Sequence, residues 1–130
     1  KMREIKFRGQ RIDNGEWVYG DLLHSEKNFK KTISILDWSQ PDGENIQEVL
    51  KDTVSEFTSF THKEKEIYEG DVMAVYLGED AGIDYQPVHF KDGCFVLGKL
   101  SPTPLHEELE YWKENIWVAG NIYENGDLIK

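Results

Sequence analysis

Two dipeptides constrain this chain more than anything else in it: Asn14-Gly15 and Asp92-Gly93. Each accepts the positive φ values of a two-residue hairpin turn, and each is flanked by residues alternating between apolar and polar. Before the first, Ile5 and Phe7 fall on one side of an extended segment and Glu4, Lys6 and Arg8 on the other. That is the period of a half-buried strand, with the charged side toward water. Residues 3–12 and 16–24 therefore read as one antiparallel pair, and Val88–Lys91 with Cys94–Leu97 as another.

The remaining signals extend this β pattern. Ile33, Ile35 and Leu36 mark a strand closed by Pro41-Asp42-Gly43, and Phe57 and Phe60 mark a further one. Residues 44–56 carry Ile46, Val49, Leu50 and Val54 at roughly helical spacing, which predicts a helical turn or two beside a strand. Val72–Leu77 is a continuous apolar run of strand length, and Gly78–Tyr85 reads as a loop. One helix is predicted over about 104–113: Thr103 caps it, Pro104 takes its first position, and Glu107 and Glu108 lie near its positive end. Leu105, Leu109 and Trp112 form its apolar stripe. A last strand, Ile116–Tyr123, ends at Asn125-Gly126. The expected fold is mainly β, with antiparallel strands in a small barrel-like or two-part arrangement and one short C-terminal helix. Residues 2–130 read as one domain, divisible into β sub-units of about 2–62 and 67–130. Met2 reads as the natural start and Lys1 as an added residue.

With 130 residues, 38% hydrophobic and 12% aromatic, the chain has enough bulk for a core. No apolar run approaches the ~18 residues of a membrane span, so no membrane role is expected. A lone cysteine, Cys94, excludes an internal disulfide and fits a reducing cytoplasm. The net charge of −10 is uneven: residues 1–31 carry +3 and the rest −13. Such a surplus disfavours nucleic acid as a partner, although Arg3, Lys6, Arg8, Arg11 and Lys27–Lys31 offer cations.

Three stretches stand in a recognisable order: Met2-Arg-Glu-Ile-Lys-Phe-Arg8, Ile67-Tyr-Glu-Gly-Asp-Val72 and Gly120-Asn-Ile-Tyr-Glu-Asn125, with Phe90-Lys-Asp-Gly-Cys-Phe95 between the last two. Together they resemble the YopX family of phage and prophage proteins, over residues 2–129. The resemblance implies a mostly β fold and a phage or prophage origin, and implies no activity. The chain departs from the family at Glu56-Phe-Thr-Ser-Phe-Thr-His62, where Ser59 replaces a glycine. A turn needing positive φ there is expected to be relaxed or reshaped.

No catalytic constellation is legible. His24, His62, His89 and His106 show no metal-ligand spacing, and His89 is expected to face solvent. Cys94 reads as a small, partly buried hairpin residue. No cofactor or metal is expected. The motif residues Tyr68, Gly70, Asp71, Gly120, Asn121, Tyr123, Glu124 and Asn125 read as structural before functional. Asp71, after a glycine and before a buried strand, is placed to accept backbone amides. The aromatic residues Trp17, Tyr19, Trp117 and Tyr123 are candidates for an interface. The function expected is that of a non-enzymatic, cytoplasmic accessory protein acting through protein contacts, as a homo-oligomer or with a phage or host protein. Alternatives are an acidic mimic of nucleic acid that blocks a host DNA-binding protein, and direct nucleic-acid binding through the basic N-terminal strand region.

Overall fold

The computed structural model describes residues 2–40, 45–98 and 100–130. It is mostly antiparallel β-structure in two open sheets with one short helix, and the barrel-like alternative is not adopted. The Pro41-Asp42-Gly43 turn lies outside the described residues. The chain divides into two units, one ending at Phe57 and the other starting at Thr58.

In the first unit the strands are β1 (Phe7–Gln10), β2 (Trp17–Lys27), β3 (Lys30–Asp37), β4 (Ile46–Glu48) and the start of β5 (Ser55–His62). Their order is β4-β3-β2-β1-β5. The Asn14-Gly15 hairpin forms: Gln10 stands opposite Trp17, and Gly15 has φ +75°. The apolar residues at helical spacing in 44–56 give instead β4 and a single 3₁₀ turn, Lys51–Thr53. Val18, Ile35 and Val49 form the core, with Phe7, Leu22, Ile33 and Val54 against it.

On the charged side of the first segment Glu4 faces water but the two cations do not. Lys6 is 9% and Arg8 6% exposed, whereas Ile5 is 47% exposed. The strand β1 is interior, between β2 and β5, so both of its edges are paired. Aromatic rings supply the cover. Lys6 Nζ lies 5.6 Å from the Trp38 ring centre and 5.2 Å from that of Phe57, and the Arg8 guanidinium lies 4.8 Å from Trp17. Long cationic side chains can bury their stems while the ring faces stabilise the charge.

In the second unit, the end of β5 pairs with β6 (Lys65–Tyr68). Lys63 and Glu64 turn between them, both at positive φ. A five-stranded sheet has the order β10-β9-β8-β7-β11. Its strands are β7 (Asp71–Tyr76), β8 (Ile83–Lys91), β9 (Cys94–Leu97), β10 (Thr103–Pro104) and β11 (Ile116–Asn121). The helix α1 spans Leu105–Trp112. The core is Ile67, Met73, Val75, Val88, Leu97, Leu105 and Ile116, with Leu109 and Trp112 of the helix packed on it.

Several local expectations are corrected. Ile83–Tyr85 are not loop but pair with Ala74–Tyr76, leaving Leu77–Gly82 to close the connection. Thr103 does not cap the helix: Thr103 and Pro104 pair with Leu97 and Val96, and the Thr103 hydroxyl donates to the Ser101 carbonyl. The last strand carries an extra residue, Ala119, between the pairs Val118–Met73 and Gly120–Val72, and ends at Asn121, whose side chain accepts the next turn's N–H groups. Cys94 is exposed, at the end of the Asp92-Gly93 hairpin. His89 is half-buried and its neighbour Phe90 exposed. Ser59 keeps the left-handed conformation at φ +74°, with no glycine to relieve it.

Candidate functional site

The residues picked out by the motifs converge on one place in the second unit. The Glu69-Gly70 turn lies between β6 and β7. Asp71, 2% exposed, accepts the backbone N–H of Tyr68 through Oδ2 at 2.8 Å. Gly70 sits at φ +86°, and its N–H donates to the Val88 carbonyl at 2.8 Å. The Tyr68 hydroxyl donates to Glu66 Oε1 at 3.0 Å. A short carboxylate directly after a left-handed glycine can reach back over the turn, which explains the residue order.

The second motif is a turn built on the same logic. Asn121 Oδ1 accepts the N–H groups of Tyr123 (3.0 Å) and Glu124 (2.9 Å), while Asn121 Nδ2 donates to Glu124 Oε1 at 3.2 Å. Asn125 Oδ1 accepts the Asn121 N–H at 3.1 Å. A Cβ on Gly120 would stand 2.3 Å from that oxygen, so only glycine leaves room for it.

Antiparallel pairing of β7 and β11 sets the two turns side by side. Asn121 lies opposite Asp71 and Gly120 opposite Val72. The Ile122 N–H donates to the Gly70 carbonyl at 2.8 Å. A Cβ on Gly70 would be 3.0 Å from Tyr123 Cε2 and 3.1 Å from its hydroxyl. Tyr68, Gly70, Asp71, Gly120, Asn121, Tyr123, Glu124 and Asn125 thus form one turn-on-turn clasp. Its polar atoms are directed largely at backbone groups, an arrangement that fixes two chain reversals.

The four aromatic candidates fall in different units. Trp17 and Tyr19 belong to the first unit and Trp117 and Tyr123 to the second. Trp17 is half-buried beneath Arg8, and Tyr19 is 40% exposed. Trp117 is half-buried with Lys63 Nζ 5.7 Å from its ring centre, and Tyr123 packs over Gly70. Of the N-terminal cations, Arg3 bonds Glu56 at 3.4 Å and Arg11 bonds Asp13 at 2.6 and 2.9 Å. The Arg11 hydrogen bonds hold the Asp13 carboxyl below its ordinary range and raise Arg11. With Lys6 and Arg8 buried, the first strand presents no cationic face.

Two features escaped the sequence reading. An open cleft of about 520 Å³ in the second unit is lined by Leu77, Ile83, Leu97 and Trp112, with the carboxylates of Asp84 and Glu108. It is assembled from separate segments, so no local motif announces it. The β2–β3 hairpin turns at Asn28 (φ +52°) and Phe29 (φ +63°), and Phe29 is 99% exposed. Asn28-Phe29 lacks the glycine that usually betrays such a turn. Among the described residues no group of three or more His, Cys, Asp or Glu side chains is placed to hold a metal ion. Among the same residues no helix is long and apolar enough to cross a membrane.

The chain belongs to the YopX family, whose model, described as YopX protein, matches residues 6–130. The crystal structure of protein EF1440 from Enterococcus faecalis is similar in fold, with a TM-score of 0.60 at 18% identity over 99% of this chain and 100% of that one. No curated protein matches the chain.

Proposed function

We propose that this chain is a non-enzymatic accessory protein of a phage or prophage, acting in the host cytoplasm through contacts with other proteins, first of all a second copy of itself. One contrast carries the reading. The family-motif residues are engaged in a structural clasp, whereas large apolar side chains elsewhere stand in solvent: Phe29 is 99%, Leu100 98% and Tyr111 77% exposed. Aromatic side chains such as Phe29 and Tyr111 are enriched at the centres of protein contacts. The charge favours a protein partner over nucleic acid. The net charge is −10, and Lys6 and Arg8 are buried while Arg3 and Arg11 are bonded to carboxylates.

Light scattering on the purified protein at ~10 µM, where modest interfaces assemble, tests the reading. A mass at least double the 15.1 kDa of one chain is expected. A mass of 15.1 kDa at every concentration, with no protein partner recovered, argues against it.

A further inference from the structure

The β2–β3 hairpin outruns its own sheet. The pairing of β1 with β2 ends at Gly20, and that of β4 with β3 at Ser34. From Ser25 opposite Thr32 to Lys27 opposite Lys30, the two strands pair with each other beyond those neighbours. At the tip, Phe29 is 99% exposed, and Lys30 and Lys31 beside it are exposed as well. Phe29 also holds φ +63°, a conformation that bulky side chains seldom adopt. An unfavourable backbone conformation and an unburied aromatic ring coincide at one residue. The two-residue turn itself calls for positive φ at both Asn28 and Phe29, so the unburied ring, not the backbone, is the feature left for a contact made elsewhere.

The cleft of the second unit has the complementary character. Its lining joins the apolar Leu77, Leu97 and Trp112 to two carboxylates, Asp84 and Glu108, against one cation, Lys130; the carboxylates accept from Gln86 Nε2 and Trp112 Nε1. Leu100 at its margin is 98% exposed. The hairpin tip falls within residues 1–31, which carry +3, and the cleft residues within the remainder, which carries −13.

We infer that the β2–β3 hairpin tip of one copy docks in the acidic cleft of another, with Phe29 as the apolar anchor and Lys30 and Lys31 facing Asp84 and Glu108. The inference rests on the self-association proposed above and names its surfaces. The contact joins two different patches, so it is heterologous, and every copy carries both halves. Being partly ionic at an exposed rim, it weakens as salt is raised.

Two variants test it, each removing one half. Phe29→Gly deletes the anchor and relieves the left-handed strain; Asp84→Lys reverses one charge on the cleft. Each variant alone is expected to weaken self-association at least about tenfold by light scattering. The melting temperature of Phe29→Gly is expected to be at or above that of the original chain, which separates lost contact from lost fold. Mixed in equal amounts, the variants are expected to recover a species of twice the single-chain mass, because one supplies an intact cleft and the other an intact hairpin. An oligomer that persists unchanged in both variants overturns this inference and leaves the self-association reading standing. A monomeric parent chain overturns both. A hairpin whose lysine substitutions alter binding to a labelled single-stranded oligonucleotide, with self-association untouched, serves a different partner and also overturns the inference.

Discussion

The Asp71 carboxylate, buried at the start of β7, accepts the backbone N–H of Tyr68 three residues earlier at 2.8 Å. A hydrogen bond to a charged acceptor contributes about 1.5–3 kcal/mol, and removing it leaves a buried donor unpaired. Asp71→Ala should therefore cost about 2–3 kcal/mol in urea denaturation. Asp71→Asn keeps an acceptor oxygen and should cost less. Equal stability of Asp71→Ala and the parent chain would remove the clasp from the list of features that hold this fold.

Gly70 meets two separate demands, a φ of +86° and a Tyr123 ring 3.0 Å from where a Cβ would lie. A left-handed conformation costs an alanine roughly 1–2 kcal/mol, and displacing the ring adds to that. Gly70→Ala should be destabilising by about 2–3 kcal/mol in the parent chain. In a Tyr123→Ala background only the backbone share should remain. Additive losses in the double mutant would show that ring and glycine do not meet.

Ser59 holds φ +74°, a conformation that favours glycine. Substituting glycine removes the Cβ penalty but adds freedom to the unfolded chain, two effects of opposite sign. The first is the larger, so Ser59→Gly should stabilise by about 0.5–1 kcal/mol. Thermal unfolding decides the sign, and a lowered midpoint would mean that the serine's own contacts outweigh the strain.

The Asp13 carboxyl is held below its ordinary value of 3.8, chiefly by the hydrogen bond from Arg11. A carboxyl whose folded pKa is depressed contributes stability that is present above its unfolded pKa and lost as pH falls through the folded one. Both partners lie at the surface, so the effect on stability should be small. The clearer measurement is an NMR titration of Asp13. Its midpoint should lie below 3.8 and return toward that value in Arg11→Ala; an unmoved midpoint would break the assignment.

The parts of the fold written in local chemistry were legible. Asn14-Gly15 and Asp92-Gly93 sit at hairpins because their φ demands are local, and the segment 72–75 is buried because the run is apolar on both faces. The turns at Asn28-Phe29 and Lys63-Glu64 were not, since they adopt positive φ without glycine. The extra residue Ala119 shifts the alternation, and Asn121 then opens a turn, so Tyr123 lies in the clasp and not on a strand face. Each motif reads as a turn by itself. That the two turns touch follows from the pairing of β7 with β11, which no residue in either motif encodes alone.

The same limit explains Lys6, the residue whose alternation was read correctly and whose surroundings were not. Period two assigns faces, but the rings of Trp38 and Phe57 that cover this face come from distant parts of the first unit. Lys6 Nζ also lies 3.5 Å from Glu4 Oε1, so the amine retains a polar neighbour while its stem is buried. Two contributions are then separable. Lys6→Met keeps the length of the stem and removes the charge, losing a largely desolvated cation–π contact of about 1–2 kcal/mol. Lys6→Ala also removes the stem from the rings, and should cost about 1–2 kcal/mol more through lost apolar burial. Guanidinium unfolding of both variants measures the split. If both equal the parent chain in stability, Lys6 is a solvated strand residue after all and the rings of Trp38 and Phe57 do not depend on it.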